Sequence, residues 1–402
     1  MIRHLLKLVW HRKRANALVM TEIFISFLVV FAVATMAATA IGGWNRPLGF
    51  DWHDVWVLYL DTPMFGGGDM VPLTADDPSR EAIARMVREA KSFPQVVDAG
   101  LSETPAYSNS ESKGNWDRNG HTVSLTRDNV SDGFANVMRV KLVRGRWFQR
   151  SDDAIGYMPV VIDRDLAREF FGSADPIGQK FDESDGITLR VVGVVEPYRK
   201  SGELAPPGVN MAFIRKSLEK PNGQIPNSIV LRVQPGTPAS FEEELTKRLH
   251  AVAPDIPLRV KRMDRMRELG LRLRLVPVIV VGIIAAFLIT MVALGLTGVL
   301  WQTVTRRTRE IGLRRALGAS GAGVRMQVLA EVALVATLAM IVGVIIVAQL
   351  PILGIFRLVT PSAFAIGLVC SLATIYALTI LCGVYPGWLA SRVQPAQALH
   401  YE

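Results

Sequence analysis

The chain has 402 residues, half of them hydrophobic, and a formal net charge of +9. Residues 43–274 hold 32 basic and 32 acidic side chains, so the whole excess lies in or beside the long apolar runs, where it reports membrane topology and not a nucleic-acid footprint. The two cysteines, Cys370 and Cys382, both fall in the last apolar run, so residues 43–274 fold without a disulfide and are numerous enough to bury their own core.

Residues 1–17 begin with Ile2, Leu5, Leu6, Val9 and Trp10 at helical spacing, with Arg3, Lys7 and Arg14 off that face. This reads as a cytosolic amphipathic helix lying in the membrane interface, or as a plain positive anchor. Residues 18–42 form a first span, because about twenty apolar residues cross a bilayer. Ala38-Thr39-Ala40 looks like a signal-peptidase site, yet the apolar run exceeds a signal h-region, so the span is read as retained. Residues 43–258 mix strand-like alternation (Val55–Leu60, Thr122–Thr126, Met158–Ile162, Thr188–Val195, Ser228–Val233) with amphipathic helices at Pro78–Ser92, Asp163–Phe171 and Phe241–Ala251. That pattern predicts an α+β domain of one or two lobes. Pro105 to Gly120 reads as an exposed loop or a crossing between subdomains.

Residues 259–274 are dense in Arg and Leu and carry Met263, Met266, Leu269 and Leu273; they read as a helical stalk running into the next span. Residues 275–301 form the second span, 302–323 a basic loop, 324–349 the third span and 350–362 a short outer turn. Residues 363–389 form the fourth span and 390–402 a tail. The expected fold is an α-helical membrane protein with four transmembrane helices, and a large extracytoplasmic α+β domain between the first and second. Five arginines (306, 307, 309, 314 and 315) between two long apolar runs place the 302–323 loop in the cytosol, and with it both termini.

On a helix, Glu310 and Arg314 stand four apart and can pair, leaving Arg306, Arg307 and Arg315 for an acidic partner. Ile311, Leu313 and Leu317 can pack into a groove, while Gly312 and Gly318 permit close approach. Arg309-Glu310-Ile311-Gly312-Leu313-Arg314-Arg315-Ala316-Leu317-Gly318-Ala319-Ser320, followed by Val324, Gln327 and Glu331, resembles the FtsX-like permease domain. Pro386, Ala390-Ser391, Pro395-Ala396 and Ala398-Leu399 are similar to its close. The outer segment resembles the periplasmic core domain of the MacB family. The residues that carry this are Arg144-Gly145-Arg146-Trp147-Phe148, Asp152-Asp153, Leu166-Ala167, Phe171-Gly172, Asp175-Pro176-Ile177-Gly178 and Val191-Val192-Gly193-Val194-Val195.

Unlike MacB itself, the sequence holds no Gly-x-x-x-x-Gly-Lys-Ser/Thr, so the resemblance implies that the ATPase is a separate subunit. It implies a permease subunit in a bacterial inner membrane, docked to two ATPase copies through the arginine loop. A second copy or a similar permease completes the machine; membrane lipid surrounds it, and a periplasmic adaptor and outer-membrane channel are compatible with it. A second implied role is an FtsX-like transmission subunit that activates a cell-wall hydrolase without transporting anything.

Neither a catalytic constellation nor a cofactor or metal site is expected. His53 and His121 are isolated, Cys370 and Cys382 lie too far apart for a metal motif, and Asp152-Asp153 reads as a turn. Glu331, inside the third span, is either functional or paired with Arg325 or a loop arginine.

Overall fold

The computed structural model describes residues 13–60, 78–118, 120–182, 188–205, 209–219, 225–306, 313, 317, 320–354 and 359–391. They separate into two compact units: residues 43–273, and residues up to 42 together with those from 274 onward.

The outer unit is built on an eleven-stranded sheet with the order β11-β1-β10-β2-β4-β9-β6-β8-β5, with β3 paired to β4 and β7 to β8. These strands are β1 (Val55–Leu60), β2 (Val96–Ser102), β3 (Ser112–Arg118), β4 (His121–Val130), β5 (Leu142–Gly145), β6 (Met158–Asp163), β7 (Lys180–Asp182), β8 (Thr188–Val195), β9 (Met211–Arg215), β10 (Ser228–Val233) and β11 (Leu258–Arg262). Only the β4–β9 and β6–β8 ladders are parallel. The sheet narrows to one residue pair, Ser102 with Val130, where β2 meets β4.

β1 shows why this sheet is covered on both sides. Trp56, Leu58 and Leu60 point to one face, where they meet Ile83 and Met86 of α2 (Pro78–Ser92) and Leu245 and Leu249 of α5 (Phe241–Val252). Val55 and Val57 alternate to the other face, against Phe134, Val137 and Phe213. Proline at the first helical position and Glu81 in the first turn start α2, and Lys91 suits its last turn. A third cluster, with Trp116, Leu125, Val160, Ile162, Phe170 and Val191, lies under α4 (Arg164–Phe171). Asp163 caps that helix by accepting from the Leu166 amide at 2.8 Å.

Two expectations change. The stretch 259–262 is not the start of the stalk helix but most of β11, paired antiparallel with β1. Leu258 and Val260 alternate toward the core, and the β1 backbone takes up their hydrogen bonds, which outweighs the helix propensity of the arginines. Likewise 105–120 is not simply an exposed loop: Ser112–Arg118 forms β3, anchored by the fully buried Trp116.

The apolar unit holds α1 (Lys13–Trp44, as far as residue 42), the later part of α6 (Met263–Arg306), α7 (Gly321–Ile352) and α8 (Pro361–Ser391). All four contain windows long and apolar enough to cross a membrane. The third helix thus runs past Pro351, and the 350–362 turn shortens to the interval before Pro361. Residues 1–12 and 392–402, read as an amphipathic helix and a tail, lie outside the described residues.

Ile23, Phe27 and Phe31 of α1 pack with Leu296 and Leu300 of α6, Ala336, Ala339 and Met340 of α7, and Ile375 of α8. Small residues make this close packing possible. A Cβ on Gly343 would sit 2.5 Å from the Phe27 ring, so only glycine lets α7 approach α1 there. Ile279, Ile283, Phe287 and Leu294 of α6 face outward, as lipid-facing side chains do.

Candidate functional site

Within the outer unit, the first turns of α6 are built into the domain. Met263 and Met266 are buried in the core beside Val55, Phe134 and Phe213. Leu269 and Leu273, the other two stalk positions, are exposed. The helix is therefore rooted by its methionines, not by its leucines.

One turn on from Met263, Arg267 closes a joint. Its Nε donates to Oε1 of Glu203 at 2.6 Å, and that carboxylate is almost fully buried. The guanidinium lies over the Trp52 ring (4.6 Å to the centroid) and reaches toward Trp44 (5.9 Å) at the end of α1. The Tyr107 hydroxyl donates to Glu203 Oε2 at 3.4 Å. Burial, and then the neighbouring Glu203, raise the Tyr107 hydroxyl far above its ordinary range, so it stays protonated as a donor.

The loop bearing Glu203 is tied to the α1 exit as well. Arg199 donates to the carbonyls of Gly43 (2.6 Å), Arg46 (3.3 Å), Glu203 (2.5 Å) and Ala205 (3.0 Å). Two local conformations make the fit possible. Tyr107 adopts a positive φ of 60°, a strained state for an aromatic residue. Gly202, at φ +90°, has no room for a Cβ, which would sit 2.6 Å from the Tyr107 ring. Both ends of the domain, Gly43–Arg46 and Met263–Gly270, thus converge on residues 199–205.

Two further clusters hold the domain. Arg215 donates to both oxygens of Asp132 (2.7 and 2.9 Å) and to Asp153 (2.6 Å), while Arg146 grips Asp152 bidentately at 2.8 and 2.5 Å. Asp152-Asp153 does sit in a 3₁₀ turn, Arg150–Ala154, and each carboxylate there is taken by an arginine. Where β2 leaves β4, the fully buried Asp128 accepts from the Ser102 hydroxyl (2.7 Å) and the amides of Glu103 (3.0 Å) and Thr104 (2.9 Å).

Burial raises Asp128 to about 6 against the pull of those donors, and raises Asp163 to about 7. Both folded-state values lie above the unfolded value of 3.8, so the folded chain binds more protons between about 4 and 7. Stability from these two groups therefore increases as the pH is lowered through that window. Asp51 and Asp152, which are lowered, act in the opposite sense only at more acid pH. A thermal scan should give a midpoint several degrees higher at pH 5 than at pH 7.5, and Asp128→Asn with Asp163→Asn should flatten the difference; a midpoint that falls would reject this assignment.

Of the arginine loop, Arg307, Arg309, Glu310, Ile311, Gly312, Arg314, Arg315 and Gly318 lie outside the described residues, and Arg306 is the last residue of α6. Leu313 and Leu317 are exposed, and the Leu317 amide donates to the Leu313 carbonyl at 3.1 Å. Glu331 accepts from Gln327 at 3.5 Å. Among the described residues no group of His, Cys, Asp and Glu could hold a metal. His53 bonds to Asp51 and stacks on Trp52.

Comparison with known proteins gives this geometry a family. Residues 17–248 match the model of the MacB-like periplasmic core domain, and residues 282–395 that of the FtsX-like permease C-terminal domain. The chain belongs to the MacB-like permease family. It is 26% identical over 291 residues to the macrolide export ATP-binding/permease protein MacB of Bordetella avium, covering 70% of this chain and 44% of that protein. It is also 26% identical over 280 residues to the pyoverdine export ATP-binding/permease protein PvdT of Pseudomonas savastanoi pv. phaseolicola, covering 67% and 42%. The chain thus spans less than half the length of these relatives. Among solved structures, the periplasmic region of MacB from Actinobacillus actinomycetemcomitans is 14% identical with a TM-score of 0.40, covering 56% of this chain and 96% of that one.

As a MacB-like permease with four apolar helices and a periplasmic-type domain, the protein is an inner-membrane protein. The joint at Glu203 and Arg267 has no counterpart among the sequence expectations. Arg267 is one of seven basic residues between 259 and 274, and its partner is 64 positions away.

Proposed function

We propose that this MacB-like permease is the non-catalytic, force-transmitting subunit of an ABC exporter. Two copies of a separate cytosolic ATPase bind the 302–323 loop, and their opening and closing rearranges the outer domain to export a substrate. The observation that carries this reading is the continuity of α6. It runs unbroken from Met263, buried in the outer domain core, through its apolar stretch to Arg306 at the edge of the arginine loop. In this reading the helix carries displacement from the loop to the domain, and Pro277 inside it marks where its backbone hydrogen bonding is interrupted.

In this reading both termini are cytosolic, and a second copy or a similar permease forms the other half. Arg306, Arg307, Arg309 and Arg315 meet acidic groups on the ATPase. Glu310 and Arg314 pair to keep the loop helical, while Ile311, Leu313 and Leu317 enter its groove; the exposure of Leu313 and Leu317 agrees with this. Gly312 and Gly318 allow the close approach. A periplasmic adaptor and an outer-membrane channel complete the export route.

Co-purification with an ABC ATPase, whose gene this reading expects beside that of the permease, tests the assignment. The full-length chain should stimulate ATP hydrolysis, and Glu310→Ala or Arg314→Ala should cut that stimulation about tenfold, equivalent to about 1.4 kcal/mol of coupling. Unchanged association and turnover in both variants would remove the loop's role. Recovery of a cell-wall hydrolase on the outer domain, in place of an export partner, would convert the reading to transmission without transport.

A further inference from the structure

Asp128 stands on β4 at the place where β2 and β4 share one registered pair, Ser102 with Val130. The groups that donate to it come from the end of β2 and the two residues beyond: the Ser102 hydroxyl and the Glu103 and Thr104 amides. Ser102 and Thr104 are buried with it, so the whole contact is closed to water. The three donors are divided between its two oxygens by kind. Both amides, which can only donate, meet Oδ1; the Ser102 hydroxyl, which can donate or accept, meets Oδ2.

That division leaves a place for a proton. While Asp128 is ionised, the Ser102 hydroxyl donates to Oδ2. With a proton on Oδ2, the acid donates and the hydroxyl turns to accept, while both amides keep Oδ1 as their acceptor. No hydrogen bond is lost, and the cost of holding a charge away from water is removed. Once residues 102–104 part from Asp128, water solvates the carboxylate and the preference for the proton goes with the enclosure. Closing the contact therefore takes up a proton, and opening it releases one.

The charged and titratable groups nearby do not cancel this. Lys200 favours the carboxylate, but its ammonium donates to the Ser110 carbonyl and is drawn to Glu111 and Glu103 as well. Glu103 favours the acid, and its own carboxylate accepts from Asn129 Nδ2. Burial raises the Tyr198 hydroxyl well above its ordinary range, so it stays neutral beside Asp128. Burial outweighs the three donors and Lys200 together, and raises Asp128 from 3.8 to about 6. The closed contact is thus tightest below about 6 and eases as the pH rises through that value.

We infer that Asp128 is a proton-operated clasp between the two portions of the outer sheet, closed by acid and released as acidity falls. It regulates how readily β2 and β4 part, and it stands on this contact alone, without resting on the force-transmitting reading.

Hydrogen exchange of the full-length chain in detergent tests the clasp, read at the Glu103 and Thr104 amides and divided by the chemical exchange rate at each pH. One unit below the Asp128 value the closed form gains about tenfold, so protection at pH 5 should be about ten times that at pH 7.5. In Asp128→Asn, whose NH2 group replaces the acid as donor to Ser102, protection should agree within about twofold at both pH values and match the parent at pH 5. Asp163→Asn, which removes the other raised carboxyl, should leave the tenfold ratio in place. Both amides should also exchange faster than those of β10, because the clasp opens without unfolding the sheet. Should Asp128→Asn not fold, the infrared carbonyl band of a protonated carboxyl serves instead: in the Asp163→Asn chain it should vanish with a midpoint of about 6. Equal protection at the two pH values in the parent, a ratio that persists in Asp128→Asn or is lost in Asp163→Asn, exchange no faster than in β10, or no such band would each overturn the assignment.

Discussion

If the outer domain is driven through α6 as proposed, Glu203→Gln will leave ATPase docking and turnover within about twofold of the parent chain, while cutting the nucleotide-driven response of the outer domain about tenfold. The reason is the position of the carboxylate. Glu203 is the buried acceptor for Arg267 on α6 and for Tyr107, and it belongs to the loop that Arg199 fastens to Gly43 and Arg46 after α1. Removing its charge turns an ion pair into a bond in which only the guanidinium is charged, a loss of about 1–3 kcal/mol at a site shielded from water. The arginine retains its place over Trp52, so the domain stays folded while the joint loosens.

Trp44 and Trp52 flank the guanidinium, which makes tryptophan fluorescence in the presence and absence of ATP a direct reporter. A double-mutant cycle with Arg267→Gln should give an interaction energy of about 1–3 kcal/mol. A full fluorescence response in Glu203→Gln would show that force bypasses this pair.

The second large effect concerns stability. Arg215→Ala will lower the thermal midpoint of the outer domain by about 6–12 °C. Arg215 is buried, and its guanidinium is the hub for Asp132 and Asp153. Truncating one partner of such a cluster leaves carboxylates without compensation, a loss of about 3–5 kcal/mol for fully buried groups. The low end, about 3 kcal/mol, applies here because Asp132 and Asp153 keep some contact with water. At roughly 2–4 °C per kcal/mol for a domain of this size, the shift is readily measured. Combining Arg215→Met with Asp132→Asn and Asp153→Asn should recover most of it, since no bare charge then remains. A shift below about 2 °C in Arg215→Ala would show that the cluster is ornamental.

The strongly periodic parts of this fold could be read from sequence. The four apolar helices, α2, β8 and β10 lie where their spacing places them, because one dominant period governs each. β3 was hidden: in Ser-Lys-Gly-Asn-Trp-Asp-Arg, Trp116 alone is apolar, and its pairing with β4 carries the rest. β11 was hidden for a related reason, Arg259 and Lys261 being read as part of a helix when they are the outward positions of a strand. The permease loop announced itself as a motif. The joint did not, since nothing local distinguishes Arg267 from Arg265 or Arg262, and only folding brings Tyr107, Glu203 and Trp52 around it.

The narrow connection between β2 and β4 has its own consequence. A sheet whose β2–β4 ladder has one registered pair, Ser102 with Val130, flanked by the Glu103 amide on the Asn129 carbonyl (3.0 Å) and the Ser131 amide on the Leu101 carbonyl (3.2 Å), resists shear less than the longer ladders on either side, so its two portions can flex about that line as a leaf flexes about its midrib. Stiffness there comes from Asp128, whose single carboxylate takes the place of several ladder bonds. Amide exchange should consequently begin at Glu103 and Thr104 well before it reaches the strands that this carboxylate stitches together.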